Sequence, residues 1–222
     1  MNQDSLAKRY FTRLFSSLLK LFLGFATLGF VPRALGPVDF GNFNFLTNIF
    51  TTIIKFLKFG FAEAFYIKLS RNQHEKKLIG FYVYYIFVVL AILIIGTYGI
   101  IKFGFQEIVW PDQNRIFIYA AVIYAALILI SETYRIAIDA LGFTVKLEMR
   151  TIMQSFFASS LIAIFYLTGS LNIRSYFLIH YAILIFIILF GWSILSKNKV
   201  YVFEQLALTK NQIKKYLKEF FT

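Results

Sequence analysis

The sequence has no cysteine and only two histidines among its 222 residues. The absence of cysteine excludes disulfides, thiol nucleophiles and cysteine-bound zinc. With so few histidines and no phosphate-binding loop, no set of residues predicts a nucleophilic or metal site, and we expect neither enzymatic activity nor a cofactor. Charged residues make up only 15% of the chain, which argues against a water-soluble domain.

The sequence is instead rich in apolar and aromatic residues. Hydrophobic residues account for 59% of the chain and aromatic residues for 20%, and the mean hydropathy is +0.69. The 28 Phe and 14 Tyr also exclude disorder, because disordered chains are poor in aromatic residues. The composition therefore predicts an integral membrane protein.

Six segments are long and apolar enough to cross a bilayer, which takes about 20 residues each. They are 14–35, 43–67, 78–103, 116–141, 147–167 and 176–195. Polar or turn-forming residues separate them. The fold class expected is an all-α integral membrane protein, a bundle of six transmembrane helices over residues 1–199, followed by a cytoplasmic connector over residues 200–222.

Basic residues are distributed unevenly between the two ends of these segments. With the N-terminus inside, fifteen of the 23 Lys and Arg lie on the cytoplasmic side and four outside, while the remaining four fall within segments. This bias predicts that both termini are cytoplasmic. It also accounts for the net charge of +12, so we expect membrane lipids and no nucleic acid as partners.

The connector contains a predicted amphipathic helix. Thr209 and Gln212 have the spacing of a capping box at its start. Apolar and basic residues then fall on opposite faces, with Tyr216 on the apolar face and Lys215 on the basic one. Such a helix lies along the lipid surface or leads into a further span.

The second segment carries a polar face. Its members recur every three or four residues: Asn44, Asn48, Thr51, Lys55 and Lys58. Lys55 falls near the midpoint, where a charge is costly and its side chain reaches neither surface comfortably. We expect this face to line a water-filled cavity; the alternatives are a structural ion pair or a misplaced segment.

Two further clusters of charge lie within the segments. Arg13, Ser17 and Lys20 share a face of the first segment, which serves either helix packing or a cavity. Glu132, Arg135 and Asp139 share a face of the fourth segment, opposite a basic face at the start of the fifth that includes Arg150. We expect Glu132, Arg135, Asp139 and Arg150 to form a salt-bridge cluster rather than to contact substrate.

The residues Val31–Phe43 read VPRALGPVDFGNF. They resemble the Arg-x-Leu-Gly-Pro-x-x-Tyr/Phe-Gly-x-Phe signature that follows the first helix of polysaccharide (O-antigen type) flippases, in the multidrug/oligosaccharidyl-lipid/polysaccharide exporter superfamily. The stretch from Arg135 to Phe143 is similar to that family's sequence before its fifth helix. By this resemblance the chain is one lobe of a two-lobe flippase fold.

The resemblance implies a function and its partners. Flippases of this family carry undecaprenyl-diphosphate-linked oligosaccharides across the inner membrane, between two bundles of six helices. A chain with one bundle would then need a missing C-terminal half or self-association. The residues expected to bind substrate are Lys20, Arg33, Asn48, Lys55 and Lys58; Arg33 is the signature arginine, whereas the others rest on the cavity argument.

Two other functions stay open. A drug or cation antiporter of the same superfamily would share this layout, although such proteins typically use a carboxylate in the first helix, which has none here. The other alternative is a non-transporting membrane subunit or a fragment.

Overall fold

The computed structural model describes residues 6–58, 60–206 and 208–221, and over these residues it is helical and contains no strand. Residues 1–5 and 59 of the predicted bundle, and 207 and 222 of the predicted connector, lie outside the described part. The short 3₁₀ helix Phe203–Leu206 precedes the last helix. The helices are α1 (Leu6–Leu57), α2 (Phe61–Arg71), α3 (Lys77–Lys102), α4 (Gln106–Val109), α5 (Arg115–Ala140), α6 (Thr144–Leu167), α7 (Ile173–Lys197) and α8 (Lys210–Phe221).

Four helices are long and apolar enough to cross a membrane: α3, α5, α6 and α7. They coincide with the last four predicted segments. A fifth span arises if the two parts of α1, Tyr10–Phe25 and Gly29–Leu57, which are bent by 56°, are taken as one broken span. Over the described residues the protein is thus all-helical, with four or five helices that are long and apolar enough for a membrane, and the predicted count of six spans is not confirmed.

The predicted second segment, residues 43–67, is not one continuous helix. Helix α1 ends at Leu57 and α2 begins at Phe61. Between them Gly60 has a φ of 73°, in the left-handed region that glycine adopts without steric cost. The prediction of a single segment over 43–67 missed this break, because it used apolar content alone and the sequence is largely apolar on both sides of Gly60.

Helix α1 reverses its course along the bundle. Arg13 contacts Glu148 near the start of α6, and the ring of Phe30 lies 5.1 Å from that of Tyr166 near the end of α6. Further on, Lys58 contacts Glu132 back towards the end of α5. Between these points Gly36 has a φ of 78° and a ψ of 165°, which is not helical. The chain therefore returns towards its starting end, as the predicted turn after the first segment requires.

The core of the bundle lies among α1, α5, α6 and α7. Helix α6 packs chiefly against α1, and α5 packs against α7. An aromatic cluster joins α1 to α7, with Phe43 against Tyr176 and His180 at centroid distances of 4.5 and 5.2 Å. His180 also bonds the Tyr176 carbonyl through Nδ1, at 2.9 Å. It is thus a packed residue within the aromatic core.

The outer surface is strongly apolar. Large side chains such as Phe56 and Leu167 are 80% and 82% exposed, and similar residues occur on every long helix. A soluble protein rarely exposes contiguous apolar surface of this extent, whereas lipid covers it at no cost. The surface agrees with the membrane class that composition predicts.

Helix α8 docks at the end of the bundle where α5 meets α6. Tyr216 is buried, its ring lies 5.3 Å from Phe81, and its hydroxyl donates to Glu75 at 2.9 Å. The predicted capping box is confirmed, because Thr209 and Gln212 exchange hydrogen bonds of 3.0 and 3.4 Å.

Candidate polar site inside the helix bundle

An ion-pair cluster joins the first part of α1 to the α5–α6 corner. The guanidinium of Arg13 donates to Asp139 at 3.0 Å and to Glu148 at 3.4 Å. Lys20 lies 4.0 Å from the second oxygen of Glu148. Thr144 donates to Asp139 at 2.7 Å. Two acids thus face two cations, and these contacts fix α1 against the corner.

A second ion pair links the returning part of α1 to α5. Lys58 is buried, and its ammonium donates to Glu132 in close contact. Lys55, one turn away, is exposed. Both lysines line an open cleft of about 350 Å³ at the break between α1 and α2, together with Glu63. The cleft therefore carries both signs of charge.

The third polar feature is a cavity of about 180 Å³ among α5, α6 and α7. Arg150 lines it and is only 2% exposed. Its Nε and both Nη atoms are buried and have no hydrogen-bond partner among the residues that the structure describes. Other polar side chains on the wall are those of Ser131, Glu132, Arg135, Thr151 and Gln154.

Space for the Arg150 guanidinium depends on a glycine of α7. A Cβ built on Gly191 would come within 3.2 Å of Nη1 of Arg150 and 3.0 Å of Cβ of Tyr134. Both distances are closer than ordinary contact. The absence of a side chain at Gly191 thus makes room for the arginine.

The residues predicted to bind substrate fall in different places. Lys20 belongs to the α1–α5–α6 cluster and Lys58 to the pair with Glu132. Arg33, Asn48 and Lys55 are exposed. The structure does not gather these five residues into one pocket within its described part, and their role in binding stays a prediction.

The residues predicted as a salt-bridge cluster are close together, but the partners are different. Asp139 pairs with Arg13, and Glu132 pairs with Lys58, so both α5 acids contact α1. Arg135 is exposed, and Arg150 makes no ion pair among the described residues. The predicted cluster took only α5 and α6 into account, because α1 is distant in sequence.

Two acids of these sites were missed by sequence reasoning. Glu148 is the hub of the α1–α5–α6 cluster, and Glu63 lies in the cleft beside Lys55. The sequence around Glu148 could have predicted its ion pairs. This residue is one turn after Thr144 on the same helix and has basic residues close to it in the sequence, so its carboxylate was a candidate to pair with a cation. Glu63 gave no such indication, since it sits within the first turn of a helix whose start was not predicted.

No family model, curated protein or solved structure matches the chain.

Proposed function

We propose that the chain is one lobe of a flippase of the polysaccharide type. In this proposal it lies in the bacterial inner membrane and helps to move an undecaprenyl-diphosphate-linked oligosaccharide from the cytoplasmic to the outer leaflet. The apolar outer surface and the Val31–Phe43 resemblance support it. In this proposal residues 6–35 and 37–57 of α1, before and after the turn at Gly36, each cross the membrane. They give six spans with α3, α5, α6 and α7, and both termini are cytoplasmic.

The observation that carries the proposal is the exposure of polar residues on the returning part of α1. Asn48 and Lys55 are both exposed, seven residues apart and so on one helical face. The neighbouring Phe56, which lies on a different face of the same turn, is also exposed and apolar. One side of this helix suits lipid and the other does not.

The depth of Lys55 makes this exposure informative. Its neighbour Lys58 contacts Glu132, which precedes the end of α5 by eight residues, or about 12 Å. Lys55 lies about 4.5 Å further in. With a hydrocarbon layer about 30 Å thick centred on the 26 residues of α5, it is about 12 Å below the surface of that layer. An ammonium exposed to lipid there costs at least about 2.5 kcal/mol, so it requires water or a protein partner.

A hydrated path between two lobes meets this requirement. Alternating access needs two bundles that rock about a shared site. The second lobe is either a missing C-terminal half or a second copy of this chain. The Asn48–Lys55 face would border the path, and the ammonium of Lys55 would attract the diphosphate of the lipid carrier, with Arg33 near the outer mouth.

Cysteine labelling tests whether this face is hydrated, because the chain has no native cysteine. Lys55→Cys should react with a membrane-impermeant maleimide in intact membranes. Val88→Cys is the matched control, since Val88 is 42% exposed on α3 at similar depth. It should not react, and Asp112→Cys in the α4–α5 loop gives full labelling. If neither Lys55→Cys nor Val88→Cys reacts, the proposal that the Asn48–Lys55 face is in contact with water is wrong.

A genetic experiment tests the activity. Deletion of the gene in the cell that expresses it should leave undecaprenyl-diphosphate-linked oligosaccharide on the cytoplasmic leaflet. The wild-type gene should restore surface polysaccharide, and Lys55→Met should restore much less at equal expression. No accumulation after deletion would contradict the flippase, and full rescue by Lys55→Met would contradict the role of this lysine.

A further inference from the structure

The cavity around Arg150 has the features of a binding site for an acceptor-rich ligand. A guanidinium stays protonated at all physiological pH values and presents five N–H donors. Arg150 is 2% exposed, and none of its nitrogen atoms has a hydrogen-bond partner within the described residues. Unpaired burial of this kind is expensive, more so in a membrane, and persists where a ligand or a function repays it.

The other polar groups of the wall select the sign of the ligand. The hydroxyls of Ser131 and Thr151 donate to the backbone carbonyls of Ile128 and Leu147, at 2.8 and 2.9 Å. Their oxygens hence have no hydrogen left to offer. Glu132 is held by Lys58. The side chains on the wall that still have hydrogen-bond donors are therefore those of Arg135, Arg150 and Gln154, and two of these three are cationic.

The size and depth of the cavity further limit which ligands can bind in it. A volume of about 180 Å³ holds a phosphate-sized group and a few waters, since one water needs at least about 10–15 Å³. Arg150 lies six residues into α6, about 9 Å from its start. The helix is about 36 Å long, so the hydrocarbon boundary lies about 3 Å from that start and Arg150 about 6 Å below it. A phosphate can reach it from the headgroup layer or from water.

We infer that this cavity binds a phosphate group, which accepts hydrogen bonds from the buried guanidinium of Arg150 and from Arg135 and Gln154 on the wall. The planar fork of an arginine matches two oxygens of a phosphate, and a second guanidinium matches a third. The phosphate is either that of an anionic lipid headgroup or a free phosphate. This site is separate from the Lys55 cleft, so it does not rest on the proposed flippase activity.

Binding is measured on the full chain purified in dodecyl maltoside, a detergent without phosphate. In one arm, inorganic phosphate is titrated and binding is followed by calorimetry. In the other, phosphatidic acid is added to the micelles and bound lipid is counted by native mass spectrometry, with diacylglycerol as the control lipid. Binding of phosphatidic acid that inorganic phosphate displaces assigns a headgroup to the site, and binding of inorganic phosphate alone assigns a soluble ligand.

Variants locate the binding. Arg150→Gln should weaken it about 10- to 100-fold, the usual worth of a charge-assisted hydrogen bond. Arg174→Gln removes the same charge from an exposed position at the other end of the bundle and should leave binding unchanged. If Arg150→Gln does not fold, Gln154→Leu should weaken binding several-fold in its place. Failure of the wild type to bind either probe at millimolar concentration, or equal binding by all variants, overturns the proposal.

Discussion

Glu148 and Arg150 stand two residues apart on α6 and have opposite surroundings. Glu148 faces α1 and is matched by Arg13 and Lys20. Arg150 faces α5 and α7 and is matched by no side chain that the structure describes. Two residues turn a helix by about 200°, so the two charges lie on nearly opposite faces.

The charges around Glu148 stabilise the fold, whereas the charge of Arg150 destabilises it. Around Glu148, four charges balance and tie three helices together. Around Arg150, the surrounding helices leave a cavity and a glycine instead of a partner. Removing a cation should therefore destabilise the protein in the first region and not in the second, which the following changes test.

The largest effect is expected from Arg13→Met combined with Lys20→Met. The double substitution leaves Glu148 and Asp139, whose side chains are 9% and 17% exposed, without cations. The free energy of unfolding should fall by about 3 kcal/mol. The measurement is unfolding by sodium dodecyl sulfate in mixed micelles. Arg33→Met combined with Arg174→Met removes the same charge from exposed positions, and an equal loss there would show that net charge, not pairing, is responsible.

A smaller loss is expected from Gly191→Ala. The new methyl group meets Cβ of Tyr134 and the guanidinium of Arg150, and such overpacking costs about 1–3 kcal/mol. The control is Gly96→Ala on α3, where a Cβ meets nothing within 4 Å. That substitution should be neutral or stabilising, since alanine favours helix. The same unfolding titration compares the two variants. Equal stability would contradict the inference that the absence of a side chain at Gly191 makes room for Arg150.

Lys58→Met should cost about 1–2 kcal/mol, because it removes the partner of Glu132, a carboxylate that is one-third exposed. Lys55→Met, one turn away, should change stability by less than about 0.5 kcal/mol, as exposed positions usually do. Thermal unfolding of both proteins in the same detergent distinguishes them. A greater loss for Lys55→Met would mean that this lysine, rather than Lys58, holds the ion pair.

The smallest effect, and the one of opposite sign, belongs to Arg150→Met. An unpaired buried charge is replaced by an apolar side chain of similar length, so the ligand-free protein should be as stable as the wild type or more stable. The readout is the unfolding midpoint in phosphate-free detergent. A loss as large as that of the Arg13–Lys20 double variant would erase the contrast between the two regions.

Much of the helical layout could be predicted from the sequence. The four segments that coincide with α3, α5, α6 and α7 are long apolar runs between polar breaks, and the capping box at Thr209 is a local signal. The break at Gly60 could not be placed, because the left-handed conformation of one glycine does not alter the apolar pattern. The partners of the charges were predicted less well, since the choice between Arg13 and Arg150 for Asp139 depends on how the first part of α1 packs against α5 and α6.

By itself, the sequence determined that the chain is helical, apolar on its surface and basic at the ends of its segments, because these properties follow from composition and periodicity. Only the tertiary structure decided which charges meet. The first part of α1 brings Arg13 and Lys20 to acids of α5 and α6, and the reversal of α1 then brings Lys58 to Glu132. The partners in each of these pairs are more than seventy residues apart in the sequence. Arg150 is buried without a partner among the described side chains, and α7 places Gly191 beside it. Pairing over such separations is set by the path of the backbone, which no local pattern of residues records.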